Sequence, residues 1–144
     1  MEWNITTLEE LHAVAEEVQK TLTKDTEHAT LITLKGDLGA GKTAFAKELA
    51  KILGIKEHIT SPTFVLAKEY KLSDQIYEKL IHIDAYRLEK DEDLRSVGFM
   101  ELIKDANNLI LLEWPERVEQ TLPVWRKEIT ITLVGEKRNI IYGN

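Results

Sequence analysis

The chain contains no cysteine. That excludes disulfides, cysteine-ligated zinc and thiol catalysis, and it suits a reducing, cytoplasmic setting. It has no excess of basic residues: the formal net charge is −6 and the pI about 5.3. Direct binding to a long nucleic acid needs a basic face to neutralise phosphates, so the charge balance argues against it. No apolar run approaches the ~18 residues of a membrane span. The opening MEWNITTLEE lacks the basic-then-apolar order of a secretory signal. His12, His28, His58 and His82 show no ligand spacing such as H-E-x-x-H, which leaves a histidine-built metal site without support. There is no internal repeat and no low-complexity tract.

What is present is ordinary globular composition: 43% hydrophobic and 31% charged residues over 144 positions, enough for a single domain spanning 1–144 with its own core. Thr7-Leu8-Glu9-Glu10 has the form of a capping box. Leu8, Leu11, Val14, Ala15, Val18 and Leu22 follow at helical spacing, predicting a helix over about Thr7–Leu22. Ala29–Leu34 reads as a buried strand. Thr43–Leu53 reads as a helix with Phe45, Leu49, Ile52 and Leu53 inward and Gly54 as its stop. Phe64–Tyr70 and Ile76–Asp84 read as an antiparallel hairpin around KLSDQ, and Asp91–Lys104 as one helix. The run Leu109–Trp114 has the continuous apolar character of a central parallel strand. Pro115 suits the first position of a short helix. Glu128–Val134 and Asn139–Tyr142 close the chain as a hairpin around GEKR. Helices and strands alternate early and strands cluster late, which predicts an α/β fold with a mixed sheet flanked by helices.

One stretch departs from ordinary punctuation. Residues 36–43, GDLGAGKT, place Gly36, Gly39 and Gly41 around Asp37, Leu38 and Ala40, with Lys42 and Thr43 directly behind. The string matches G-x-x-x-x-G-K-[ST], with a predicted strand before it and a helix after it. Glycines let the backbone curl and bring several N–H groups to one anion. The helix start adds its positive end. The lysine reaches β- and γ-phosphates, and the threonine hydroxyl can ligate a bridging Mg²⁺. The pattern predicts a three-layer P-loop NTPase fold that binds a nucleoside triphosphate with Mg²⁺. Such a loop needs an acid at the end of a neighbouring strand, and two qualify: Glu113 after LILL and Asp84 after LIHI. The guanine-reading strings D-x-x-G and N-K-x-D do not occur, which favours ATP. Arg87, Arg95, Arg117, Arg126 and Arg138 are scattered, with no lid insertion of the kind small-molecule kinases carry. On the motif alone, an ATPase, a small-molecule kinase and a non-hydrolysing nucleotide-gated binding module all stay open.

Four strings in this order, GDLGAGKT (36–43), SPTF (61–64), HIDAYRL (82–88) and EWPER (113–117), resemble the TsaE family, P-loop ATPases of bacterial tRNA threonylcarbamoyladenosine synthesis. The resemblance runs over nearly the whole chain. It implies that Lys42, Asp84 and Glu113 form the catalytic set, that Thr43, Glu113 and Asp84 make up the Mg²⁺ site, and that Asp84 sits beside the metal and a water. It implies a switch-like SPTF loop with sensing hydroxyls on Ser61 and Thr63, a functional aromatic at Trp114, and Thr7 and Arg138 flanking the ATP or ADP. It also implies partners, TsaB and TsaD, that hold tRNA while ATP hydrolysis here keeps the assembly cycling. His82, two residues before Asp84, shares its strand face and could also look into the site.

Overall fold

The computed structural model describes residues 1–59 and 67–143. Ser61, Thr63 and the first residues of the Phe64–Tyr70 strand lie outside the described residues. The chain orders as β1 (Glu2–Ile5), α1 (Leu8–Thr21), β2 (Thr30–Lys35), α2 (Lys42–Ile52), β3 (Ala67–Lys71), β4 (Lys79–Asp84), α3 (Asp91–Arg95), α4 (Phe99–Ile103), β5 (Asn108–Glu113), β6 (Lys127–Val134) and β7 (Lys137–Gly143). Short 3₁₀ turns at Pro115–Arg117 and Glu119–Thr121 link β5 to β6.

The strands form one mixed sheet in the order β1-β7-β6-β2-β5-β4-β3. Its middle, β6-β2-β5-β4, is parallel, and the hairpins β3–β4 and β6–β7 run antiparallel as expected. Every residue of β5 and all but the last of β2 are buried, so both strands read as continuous apolar runs rather than alternating ones. On one face Val14, Val18, Phe45 and Leu49 of α1 and α2 pack on Ile32, Leu34, Leu109, Leu111 and Ile131. On the other, Leu94 and Phe99 of the short helices and Val118 of the β5–β6 link pack on Leu31, Ile81, Ile83, Ile110 and Leu112. Two cores around one sheet make the three layers. No helix among the described residues is long and apolar enough to cross a membrane.

The capping box forms: Thr7 Oγ1 accepts from the Glu10 amide at 3.1 Å, and the Glu10 carboxylate accepts from the Thr7 amide at 3.2 Å. Leu8 faces outward, 56% exposed, contrary to its place in the apolar pattern. The single helix expected over Asp91–Lys104 is two helices. Gly98, at φ +78°, caps the second of them, and that left-handed backbone ends the first. The second strand of the first hairpin begins at Lys79, later than the expected Ile76, whose side chain is 54% exposed. The last hairpin is longer than expected, pairing Lys137 and Arg138 into β7 and leaving Gly135 and Glu136 as the turn. β1 was not legible in the sequence. It pairs Glu2–Ile5 with Arg138–Ile141 at the far end of the chain.

Candidate active site

The parallel strands put their carboxyl ends at one edge of the sheet. Leu34 pairs with Glu113, and Asp84 pairs with Glu113, so three strand ends lie side by side. The chain leaves β2 into α2 on one face and leaves β4 and β5 into α3 and the 3₁₀ turns on the other, and ligand crevices in open α/β sheets form where the connections part in this way.

The 36–43 loop rises from β2 into α2. Gly41 is the N-cap of α2, at φ +115° and ψ 17°, with no side chain to bond the first-turn amides and no acid in that turn. α1 closes its own N-terminus with Thr7, Glu9 and Glu10, whereas α2 leaves the amide end of its dipole open to an anion. Gly36 and Gly41 are sterically confined, whereas Gly39 has open space beside it and is set apart by its φ of +80°. A Cβ at Gly36 would stand 2.7 Å from the Ile131 carbonyl oxygen of β6. A Cβ at Gly41 would stand 3.2 Å from Arg138 Nε. Arg138 Nε donates to the Ala40 carbonyl at 2.8 Å, so the last hairpin holds the loop from behind.

A cavity of about 340 Å³ opens in front of this loop. Asp37, Leu38, Gly39, Gly41, Lys42, Thr43, Asp84, Glu113 and Trp114 line it together with Ala44 and Tyr86. Gly36 and Ala40 line an adjoining cavity of about 220 Å³, which Asp37 shares. Most of the residues singled out in the sequence therefore converge on one place. Thr7 is apart: it lines neither cavity, and its hydroxyl belongs to the α1 cap. Ser61 and Thr63 lie outside the described residues.

Lys42 is buried. Its ammonium donates to the Gly36 carbonyl and, at 3.4 Å, to that of Asp37, and it sits 3.8 Å from the centroid of the Trp114 ring. Loss of solvent lowers the lysine pKa, opposed by Glu113, Glu116, Asp84 and Asp37 around it. Burial pushes the Asp84 carboxyl up, against a hydrogen bond from the Tyr86 amide at 2.9 Å, and the nearby Glu113 pushes it further. Trp114 holds φ +61°, a left-handed backbone unusual for a bulky residue. That conformation turns the chain off the end of β5, one residue earlier than the sequence suggested, and sets the ring against Lys42.

Two neighbours escaped the sequence-based list. His82 was placed on the Asp84 face by alternation, but nothing local showed that its Nε2 meets Glu113 Oε2 at 2.6 Å. Tyr86, 41% exposed, lies 4.9 Å from the Trp114 ring, with the Arg117 guanidinium 5.4 Å from its own ring. Neither contact has a sequence signal beyond the HIDAYRL and EWPER strings.

The site can hold an anion at the α2 amides with a cation beside it, and it presents oxygen donors from Thr43, Asp84 and Glu113, the ligand type that Mg²⁺ takes. The family model of the threonylcarbamoyl adenosine biosynthesis protein TsaE matches residues 5–140. The chain belongs to the TsaE family. Among its TsaE relatives, the tRNA threonylcarbamoyladenosine biosynthesis protein TsaE of Bacillus subtilis is 35% identical over 136 residues, 94% of this chain and 80% of that one. The protein of the same name from Treponema pallidum is 38% identical over 110 residues, 76% of this chain and 78% of that one. A crystal structure of Bacillus subtilis YdiB superposes with a TM-score of 0.77 at 31% identity, covering 99% of this chain and 83% of that one. The family thus accounts for the mixed α/β architecture and places the chain among threonylcarbamoyladenosine biosynthesis proteins.

Proposed function

We propose that this chain binds ATP with Mg²⁺ and hydrolyses it to ADP and phosphate, as a cytoplasmic subunit working with TsaB and TsaD to modify tRNA. The observation that carries this reading is the convergence of the Gly36–Thr43 loop, Lys42, Asp84 and Glu113 on one cavity. Family membership supports the pathway. The −6 net charge supports tRNA being held mainly by the partners.

The chain's residues divide the work. The α2 amides and the glycine backbone cradle the β-phosphate, and Lys42 swings from the loop carbonyls to neutralise the terminal phosphates. Thr43 and Glu113 would hold Mg²⁺, which when bound would supply charge stabilisation to the phosphate oxygens. Among the described residues no three His, Asp or Glu side chains converge as a ready-made cage. The remaining ligands would come from phosphate oxygens and waters, as is usual for this ion. Asp84 accepts a hydrogen bond from the attacking water and orients it. The transfer needs little covalent chemistry from the protein, so placement and charge set the rate. Trp114 shields Lys42 from solvent, and Arg138 keeps the loop's shape through Ala40. Arg138 flanks the nucleotide from behind the loop, Ser61 and Thr63 sense its terminal phosphate, and Thr7 serves the α1 cap instead.

The test is phosphate release from ATP and Mg²⁺ by the protein alone and mixed with TsaB and TsaD. Release that the pair stimulates is expected. Binding without release in either mixture would overturn the ATPase reading in favour of a gated binding module. Phosphate found on an acceptor would indicate a kinase.

A further inference from the structure

His82 and Glu113 stand on neighbouring parallel strands, β4 and β5, with their side chains on the α1–α2 face of the sheet. The two side chains are 1% and 3% exposed, and His82 Nε2 lies 2.6 Å from Glu113 Oε2. His82 Nδ1 is also buried and has no hydrogen-bond partner among the described residues. That orphan fixes the ring's proton. If the carboxyl donated to Nε2, the ring would carry its proton on Nδ1 and leave a buried N–H unpaired, which is costly. With the proton on Nε2, the ring donates to Glu113 and leaves only a lone pair unmatched.

We propose that His82 is a positioning residue for Glu113: its Nε2–H holds Oε2 at the back of the cavity so that the carboxylate is presented toward the metal in one orientation. The inference rests on the nucleotide–Mg²⁺ reading of the site. A glutamate has three side-chain torsions to restrain, and the bond from His82 restrains the terminal one. Neighbours that hydrogen-bond a metal-ligating carboxylate are worth roughly 10–100-fold in metal affinity.

The conservative replacement follows from the geometry. Glutamine places an N–H donor near the position of Nε2, whereas leucine and methionine fill the space without one. The experiment measures ADP affinity with and without Mg²⁺ for wild type, His82→Gln, His82→Leu and His82→Met, with thermal melting to follow folding. H82L and H82M are expected to bind ADP as wild type does in EDTA and to lose roughly tenfold or more of the affinity that Mg²⁺ adds. H82Q is expected to restore most of it. A wild-type Mg²⁺ increment in folded H82L or H82M, or a loss in H82Q equal to theirs, overturns the inference alone. Wild-type protein that binds ADP equally well with and without Mg²⁺ overturns the metal reading of the site, and this inference with it.

Discussion

Gly36→Ala isolates how β6 shapes the loop. Gly36 follows the last residue of β2, and Lys35 there pairs with Thr130 of β6. The added methyl carbon would sit 2.7 Å from the Ile131 carbonyl oxygen and 3.2 Å from the Ala40 methyl. Neither neighbour is a flexible chain end, since one is sheet backbone and the other is the loop itself. Reaching an ordinary carbon–oxygen separation requires a shift of roughly half an ångström in the loop or the strand. Such overpacking costs roughly 1–3 kcal/mol, which for a chain of this size lowers Tm by roughly 3–10 °C. The same displacement moves the loop amides proposed to hold phosphate, so ADP affinity should fall roughly tenfold. Gly54→Ala is the control: Gly54 has φ +82° but nothing within 4 Å of the added carbon. It should cost roughly 1–2 kcal/mol of stability through the left-handed backbone alone and leave ADP binding intact. Melting curves and ADP titration of both variants decide the matter. A Gly36→Ala protein with wild-type Tm and wild-type ADP affinity would refute the claim that the β6 carbonyl bounds the loop.

Lys42→Ala should abolish phosphate release, and Glu113→Ala should abolish its dependence on Mg²⁺ or the release itself; a steady-state assay giving wild-type behaviour for either removes that residue from the catalytic set. Burial raises the Asp84 pKa, so the folded chain keeps that proton to a higher pH than the unfolded chain. Stability should therefore fall as pH climbs from the ordinary aspartate value, about 3.9, to the higher folded value. Asp84→Asn should flatten that slope and raise Tm at neutral pH, and an unchanged slope in a pH series of melts would count against it. Thr7→Ala deletes the α1 cap and should cost about 1 kcal/mol, roughly 2–4 °C in Tm; an unchanged Tm would show that the capping box contributes nothing.

Local chemistry was legible before any fold was known. The Thr7–Glu10 cap, the glycine-rich loop between strand and helix, and the buried runs of β2 and β5 each follow from neighbours within a few residues. Pro115 likewise opens a 3₁₀ turn at its permitted position. The mistakes lie where a distant contact, or the lack of one, overrode the local pattern. Leu8 keeps helical spacing yet faces solvent, because no element among the described residues covers that side of the first turn. Trp3 and its neighbours lack a long strand pattern, and become β1 because β7 offers them an edge.

The sequence by itself determined most of the elements, the glycine-rich loop and the two candidate acids, because dihedral preference, capping and hydrophobic period act over one or two turns. Tertiary structure alone decided that β4 and β5 lie in parallel register, with Asp84 beside Glu113. It joined His82 to a carboxylate 31 residues away and brought Arg138 to the Ala40 carbonyl, 98 residues away. Those contacts depend on which strand pairs with which, and pairing is settled by burying both faces of one sheet at once. No window of sequence contains that condition.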